Sequence, residues 1–365
     1  MTTAPSTVPR GVRRLRSVTA QTRVATIPTS RTLVLTEVEE PAPSDDQVRV
    51  RVRYCGVCGT DVHAFVTPDM LPPAVFGHEW TGTVEAVGPG VTQVSEGDRV
   101  IASVGPPCGQ CAMCRSGHAG HCDVVFAEAN GVTPDAPAHG GFATHITVSQ
   151  RRVARVLDGL SDEQAAVVEP TAVTFHAVRR TAQCLGDVVV VQGAGPIGLL
   201  TAQHARSAGA GRLLISEPVA ARREVAAGLG FTQVFEPGDE FVEAIQDATD
   251  GLGADVLYEC TGVASLLQPS AALVRRGGTL SLLGYPTVDS TVSYGDWQSR
   301  ELRVVGSLAY SHEDFTGAMR SLVSGAVDVT PLITSTVGLG GLARVLADLA
   351  TAGTTQAKVL VDPFR

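Results

Sequence analysis

Cys108, Cys111, Cys114 and Cys122 follow the spacing C-x2-C-x2-C-x7-C in a Gly- and Pro-rich stretch. Thiolates two or three residues apart can converge on one tetrahedral ion, and a loop with no core of its own needs such a clip. Four thiolates make a closed, structural site, so a structural zinc is expected here, with His118 and His121 as bystanders. Such crowding in a chain without a secretory signature points to metal rather than to disulfides. A second set of donors is scattered: Cys58 in CGVCGTDVH, His78 and Glu79 in FGHEWTG, and Glu169 in VEPTAV. A catalytic zinc takes about three mixed protein ligands and keeps one position open. Cys58, His78 and one of the two glutamates meet that requirement.

The segment VVVVQGAGPIGLLTAQHA holds G-x-G-x-x-G as Gly193, Gly195 and Gly198. A strand precedes it and a helix follows, which is the context a dinucleotide fingerprint requires. Gly193 permits the tight turn, Gly195 lets backbone approach a pyrophosphate, and Gly198 allows close helix–strand packing. Pro196 and Ile197 open the helix, whose free N–H groups face the phosphates. Glu217 ends the next strand, where a carboxylate can bind the adenosine ribose and repel a 2′-phosphate. NAD is therefore the expected cofactor, with NADP possible because Arg222 and Arg223 lie close by.

These residues need two kinds of scaffold. Val48, Val50 and Val52 alternate with Arg49, Arg51 and Arg53, the mark of a half-buried strand. Thr81–Val87 and Arg99–Val104 read as further short strands, so the first part of the chain is mostly β. Ser161 and Gln164 form a capping box that opens a helix toward Glu169. From Asp187 on, continuous apolar strands alternate with helices, implying a parallel sheet covered on both faces. The end, from about Ser311, is expected to rejoin the first domain.

A length of 365 residues suits two domains, and 44% hydrophobic with 18% charged residues describes a globular chain. A net charge of -9 argues against nucleic-acid binding, and no apolar run reaches the length of a membrane span. The N-terminal Arg10, Arg13, Arg14 and Arg16 have no apolar segment after them, so a solvated arm and a cytoplasmic location are expected. Lys358 is the only lysine and reads as compositional bias rather than chemistry.

The string GVCGTDVH, then GHE, GDRV, the four-cysteine lobe, EP and GAGPIG resembles the zinc-dependent medium-chain dehydrogenases, in order and spacing from about Ser17 to Val361. Glu169–Pro170 resembles the branch with sorbitol, threonine and glucose dehydrogenases. The resemblance implies an α/β fold: a Rossmann doubly wound sheet plus a mostly β, GroES-like catalytic domain. It places the catalytic domain at 1–168 with the lobe at 105–123, the nucleotide domain at 169–309, and a returning segment at 310–365. It implies Cys58 and His78 as catalytic zinc ligands, with Glu79 or Glu169 completing the set. Cys55 is then a packing residue, as are Cys184 and Cys260. Thr60 matches the family's relay hydroxyl and His63 its relay imidazole. The implied reaction passes hydride between NAD(P) and the secondary alcohol of a polyol, cyclitol, sugar or amino-alcohol, through an alkoxide on zinc. A homodimer or homotetramer is implied as well. The competing readings are an NADPH-dependent reductase of C=C or C=N bonds and a non-catalytic nucleotide sensor. The substrate pocket is expected around Phe65, Trp80, Phe126–Thr133 and Tyr285–Trp297.

Overall fold

The computed structural model describes residues 20–365, so the arginine run of the N-terminal arm lies outside the described residues. The second half of the chain builds a six-stranded, all-parallel sheet. Its spatial order is Val234–Phe235, Arg212–Ser216, Val188–Gln192, Ala254–Glu259, Val274–Leu282 and Arg303–Gly306. Val189, Val190, Val191, Leu214, Ile215 and Leu257 are wholly buried, as strands with helices on both faces must be. The winding reverses between Val188–Gln192 and Ala254–Glu259. Ligands of open α/β sheets bind in the crevice at such a reversal.

A second sheet has the order Ile333–Gly338, Lys358–Asp362, Gln47–Gly56, Glu79–Val87, Arg99–Ala102 and Val153–Arg155, and His145–Ser149 also pairs with Gln47–Gly56. Val48, Val50 and Val52 point into its core as their alternation predicts. Arg49 departs from that pattern: it is buried too, 4.0 Å from the buried Glu40 carboxylate. Its charge has a partner, so the strand tolerates it inside.

Ser161 and Gln164 exchange the two capping bonds, at 3.2 and 3.0 Å. The helix they open ends at Ala165, and a new one runs Val168–Thr181 with Glu169 in its first turn. The C-terminal segment goes both ways. His312–Val323 packs Phe315, Ala318 and Leu322 into the cluster that holds Ala172 and Val178. Lys358–Asp362 instead joins the second sheet, with Leu360 opposite Gly56 and Val361 opposite Cys55. One apolar cluster contains Tyr54, Ile101 and Leu360 of the second sheet together with Val189, Val191 and Ile215 of the first. This shared core sets the distance between the Gly-rich turn and the scattered metal donors.

Candidate active site

In the lobe the four sulfurs of Cys108, Cys111, Cys114 and Cys122 lie within 4.8 Å of one another. Backbone N–H groups of Cys111 and Cys114 point at the sulfurs of Cys108 and Cys111, at 3.3 and 3.4 Å. Such donors favour thiolate. Burial alone would raise the Cys122 thiol, yet amides of Cys108 and Val125 bring it down to about 6. Cys114 goes the other way, to about 12, through burial and the neighbouring Cys111 sulfur. Four sulfurs this close can all be thiolate only around a cation, and this donor set suits zinc. His118 turns away, its Nδ1 3.0 Å from Ser116 Oγ.

The second cluster joins Cys58, His78 and Glu79, whose ligand atoms also lie within 4.8 Å of one another. Two loops carry them, and Asp61 ties these together: its buried carboxylate accepts from Cys58 N at 2.8 Å and Gly77 N at 2.9 Å. His78 Nδ1 sits 3.1 Å from Val75 O, which holds the proton on that nitrogen and frees Nε2 for a metal. Burial would lower the His78 pKa, but the Cys58 sulfur, Asp61 and Glu169 together raise it well above the usual value. A site that favours positive charge so strongly fits a cation.

Glu169 stands outside the tight triangle. It faces the Tyr310 hydroxyl, and burial raises its pKa to about 7. Glu79 is 1% exposed and takes both oxygens to Lys358 Nζ, at 2.8 and 2.6 Å; that ammonium also donates to Val57 O at 2.9 Å. Reading Lys358 as compositional bias is therefore wrong. It is a buried counter-charge that the last strand delivers to the donor cluster. The missed signal was a lone cation in the apolar strand AKVLV. Phe65 and Trp80 also depart from expectation, being buried in the apolar core rather than lining a pocket. Cys184 is exposed, not buried, because it sits in the turn before Val188–Gln192, while Cys55 is fully buried.

Thr60 Oγ1 and His63 Nδ1 are both buried without a hydrogen-bond partner among the described residues. Burial lowers the His63 pKa, so the ring is neutral near pH 7 and able to take a proton.

At the Gly-rich turn, Gly193 has φ +94°, and a Cβ on Gly198 would strike Gly193 O. Gly195 caps the helix Pro196–Ser207, with Ile197 in its first turn. Glu217 is buried; its carboxylate accepts from Ala194 N at 2.7 Å and Val219 N at 2.9 Å. It therefore clamps the turn to the next strand, and each oxygen keeps a lone pair for a ribose hydroxyl. Arg222 lies against Gly195 and donates to Gln356 O at 3.0 Å. Arg223 is turned to Glu217 O and Pro218 O instead, so only Arg222 faces the turn.

Residues 44–158 match the family model described as the alcohol dehydrogenase GroES-like domain, and 196–324 match that of the zinc-binding dehydrogenases. The chain is 31% identical to the sorbitol dehydrogenase of Bacillus subtilis, over 87% of its own length and 90% of that protein. It is 32% identical to the 2-dehydro-3-deoxy-L-galactonate 5-dehydrogenase of Pseudoalteromonas atlantica, over 84% and 89%. The chain belongs to the zinc-type medium-chain alcohol dehydrogenases. Among solved structures, a zinc-binding dehydrogenase of Sinorhizobium meliloti bound to NADP superposes with a TM-score of 0.82 at 31% identity, covering 94% of this chain and 100% of that one. The 2R,3R-butanediol dehydrogenase of Bacillus subtilis gives 0.79 at 28%, covering 94% and 99%. As a member of this family, the protein is a zinc-dependent enzyme that passes hydride between a small-molecule alcohol and NAD(P), and it has the Rossmann and GroES-like architecture. No helix among the described residues is long and apolar enough to cross a membrane.

Proposed function

We propose that Cys58 and His78 hold the catalytic zinc, that Glu79 and Glu169 supply its carboxylate in exchange, and that Cys108, Cys111, Cys114 and Cys122 hold the structural one. The observation that carries this reading is the Cys58–His78–Glu79 triangle, with the orphaned Thr60 Oγ1 and His63 Nδ1 on the helix Gly59–Val66 that Cys58 caps. Zinc held there would supply Lewis acidity toward the alcohol oxygen, and a nicotinamide held at the Gly-rich turn would supply the hydride acceptor. The chain's own residues do the rest. Thr60 Oγ1 relays the alcohol proton, accepting it while giving its own onward, and His63, only half-buried, receives a proton at the end of that relay and passes it toward water. Asp61 keeps the two ligand loops in register. Lys358 neutralises Glu79, so a carboxylate can remain charged in a buried place.

Gly193, Gly195, Pro196, Ile197 and Gly198 seat the pyrophosphate, Glu217 binds the ribose, and Arg222 reaches the adenosine side. Glu217 favours NAD, since a 2′-phosphate would meet its carboxylate. Residues up to 168, with the lobe at 105–123 and the strands returning after 310, form the catalytic domain; 169–309 form the nucleotide domain. The substrate carries a secondary hydroxyl on a polyol or sugar frame, the kind named for the sorbitol and galactonate relatives.

The chain works as a homodimer or homotetramer built on the edge strand Arg303–Gly306, where Val304 is exposed and Leu308 just after it is exposed too. An unpaired edge with apolar neighbours calls for a cover. The free thiols suit a reducing, cytoplasmic setting.

Turnover of NAD followed at 340 nm with a panel of polyols, sugars and amino-alcohols tests the reading. Oxidation that disappears in Cys58→Ala is expected. Activity only with NADPH and enones or iminium compounds would overturn it.

A further inference from the structure

Glu40 and His139 make a buried pair that belongs to neither metal cluster. Glu40 ends the strand Thr32–Glu40, and His139 lies in the irregular stretch before His145–Ser149. Glu40 Oε1 sits 2.7 Å from His139 Nε2, while Oε2 accepts from Thr147 Oγ1 at 3.0 Å and lies 4.0 Å from Arg49 Nε. Burial would raise the Glu40 pKa, but His139, Thr147 and Arg49 together bring it below the ordinary value. His139 Nδ1 is 2.9 Å from Gly140 O. A carbonyl and a carboxylate both accept, so the ring donates from both nitrogens. A buried ionic pair is often no more stabilising than an apolar one of the same size, yet its short, directional bonds fix geometry.

The geometry fixed here is that of a segment lying against the loop of His78. Gly141 N donates to Gly77 O at 2.7 Å. The Phe142 ring meets the Phe76 ring edge to face, with centroids 4.8 Å apart, and a Cβ on Gly140 would strike Phe76 O. Gly77 is thereby held from both sides, because its own N–H goes to Asp61. His78 follows directly in the chain. From Phe142 on, the segment is tied to the strand Ala20–Thr29: Ala25 N donates to Phe142 O and Thr144 N to Arg23 O, both at 2.9 Å. Ahead of Gly141 no strand pairing holds it among the described residues. His139 is the anchor at that end.

We propose that His139, held by Glu40, is a positioning residue for the catalytic metal site: it pins the segment that seats Gly77 and so sets where the His78 imidazole stands. The inference rests on the reading that His78 ligates the catalytic zinc, and it adds a residue outside the ligand set. Groups that orient metal-bound histidines tune both metal affinity and activity. His139 works one step further out, through backbone, so its loss misplaces a ligand without removing one.

The test exchanges cobalt(II) into the Cys58–His78 site of the full chain, with zinc kept in the lobe, because cobalt absorption reports ligand geometry. His139→Ala should shift the cobalt d–d bands and weaken cobalt binding about 10-fold in competition with a chelator. In the zinc enzyme it should lower kcat about 10-fold and leave KM for alcohol and for NAD within about 2-fold. His139→Asn keeps a donor for Gly140 O but is too short to reach Glu40, so it is a gentler cut and should change the same bands. His139→Gln returns an N–H to the Nε2 position and should recover most of kcat and the unmodified spectrum. Spectra and affinities are taken per bound cobalt, so a smaller folded fraction does not imitate the effect. Unchanged bands and affinity in both His139→Ala and His139→Asn, at whatever loss of stability, would make the pair merely structural and overturn the proposal. Equal losses in His139→Gln and His139→Ala would overturn it too. An unmodified protein that takes up no cobalt outside the lobe would sink the zinc reading and the proposal with it. Normal uptake with an unaltered spectrum in the variants sinks the proposal alone.

Discussion

The four thiols of the lobe come from one stretch of chain, residues 108–122, and three of them are only half-buried. The Cys58–His78–Glu79 cluster is assembled from separate loops, backed by Glu169 from a helix and Lys358 from the last strand, and its carboxylates and ammonium lie in the interior. The first site is local and chemically uniform, so an ion is enough to order it. The second is mixed in donor type and long-range in origin, so the fold has to order it before an ion arrives. The contrast matches the two tasks. A structural ion needs saturation, whereas a catalytic one needs an open position whose surroundings are already in place.

The largest effect expected along this divide comes from Cys58→Ala. Activity should fall on the order of 10³-fold or more, since several kcal/mol of charge stabilisation depend on the metal. Metal analysis should show one zinc left, and the melting temperature should barely move. Loss of both ions would show that the two sites are not independent.

Cys111→Ser should do the reverse. Unfolding in urea should reveal a loss of about 4 kcal/mol, the size typical of a lost structural metal, with activity falling only as far as the fold does. A lobe variant of unchanged stability would make the four-thiol site dispensable and collapse the comparison.

Lys358→Met should cost about 3 kcal/mol, because it strands the Glu79 charge in the interior. Combining it with Glu79→Gln should recover part of that, which a double-mutant cycle in urea would measure. Simple additivity would mean that Glu79 has no need of Lys358.

The smallest effect concerns the clasp between the helix carrying Glu169 and the one that follows Tyr310. Asp314 accepts from His176 Nδ1 at 2.7 Å, Arg179 Nη1 at 2.6 Å and Ser311. Burial would raise its pKa, but these partners hold it well below the usual carboxylate range. A depressed acid adds stability that is complete above its unfolded pKa and lost as pH falls toward the folded one. Asp314→Asn should therefore cost about 2 kcal/mol at pH 7, and its gap from the unmodified chain should narrow below about pH 4. A gap that is flat with pH would mean that the carboxylate's charge is not what holds the clasp.

Much of the fold was legible in advance because its causes are local. Val188–Gln192 declares a buried parallel strand by its run of valines, and Gly193 declares a turn by its positive φ. Ser161 and Gln164 declare a helix start by two reciprocal bonds. The lobe was legible for the same reason, since the spacing of its four cysteines is the site. Cys58, His78 and Glu169 could be read only as separate donors awaiting convergence.

Tertiary structure decided the rest. It put Glu79 rather than Glu169 in the tight triangle with Cys58 and His78, and gave Glu79 a lysine from 279 residues away. Local spacing determines which residues can meet along a helix, strand or loop. Whether a charge is paired or stranded depends on which distant strands become neighbours, and burial then multiplies the consequence by removing the water that would have masked it.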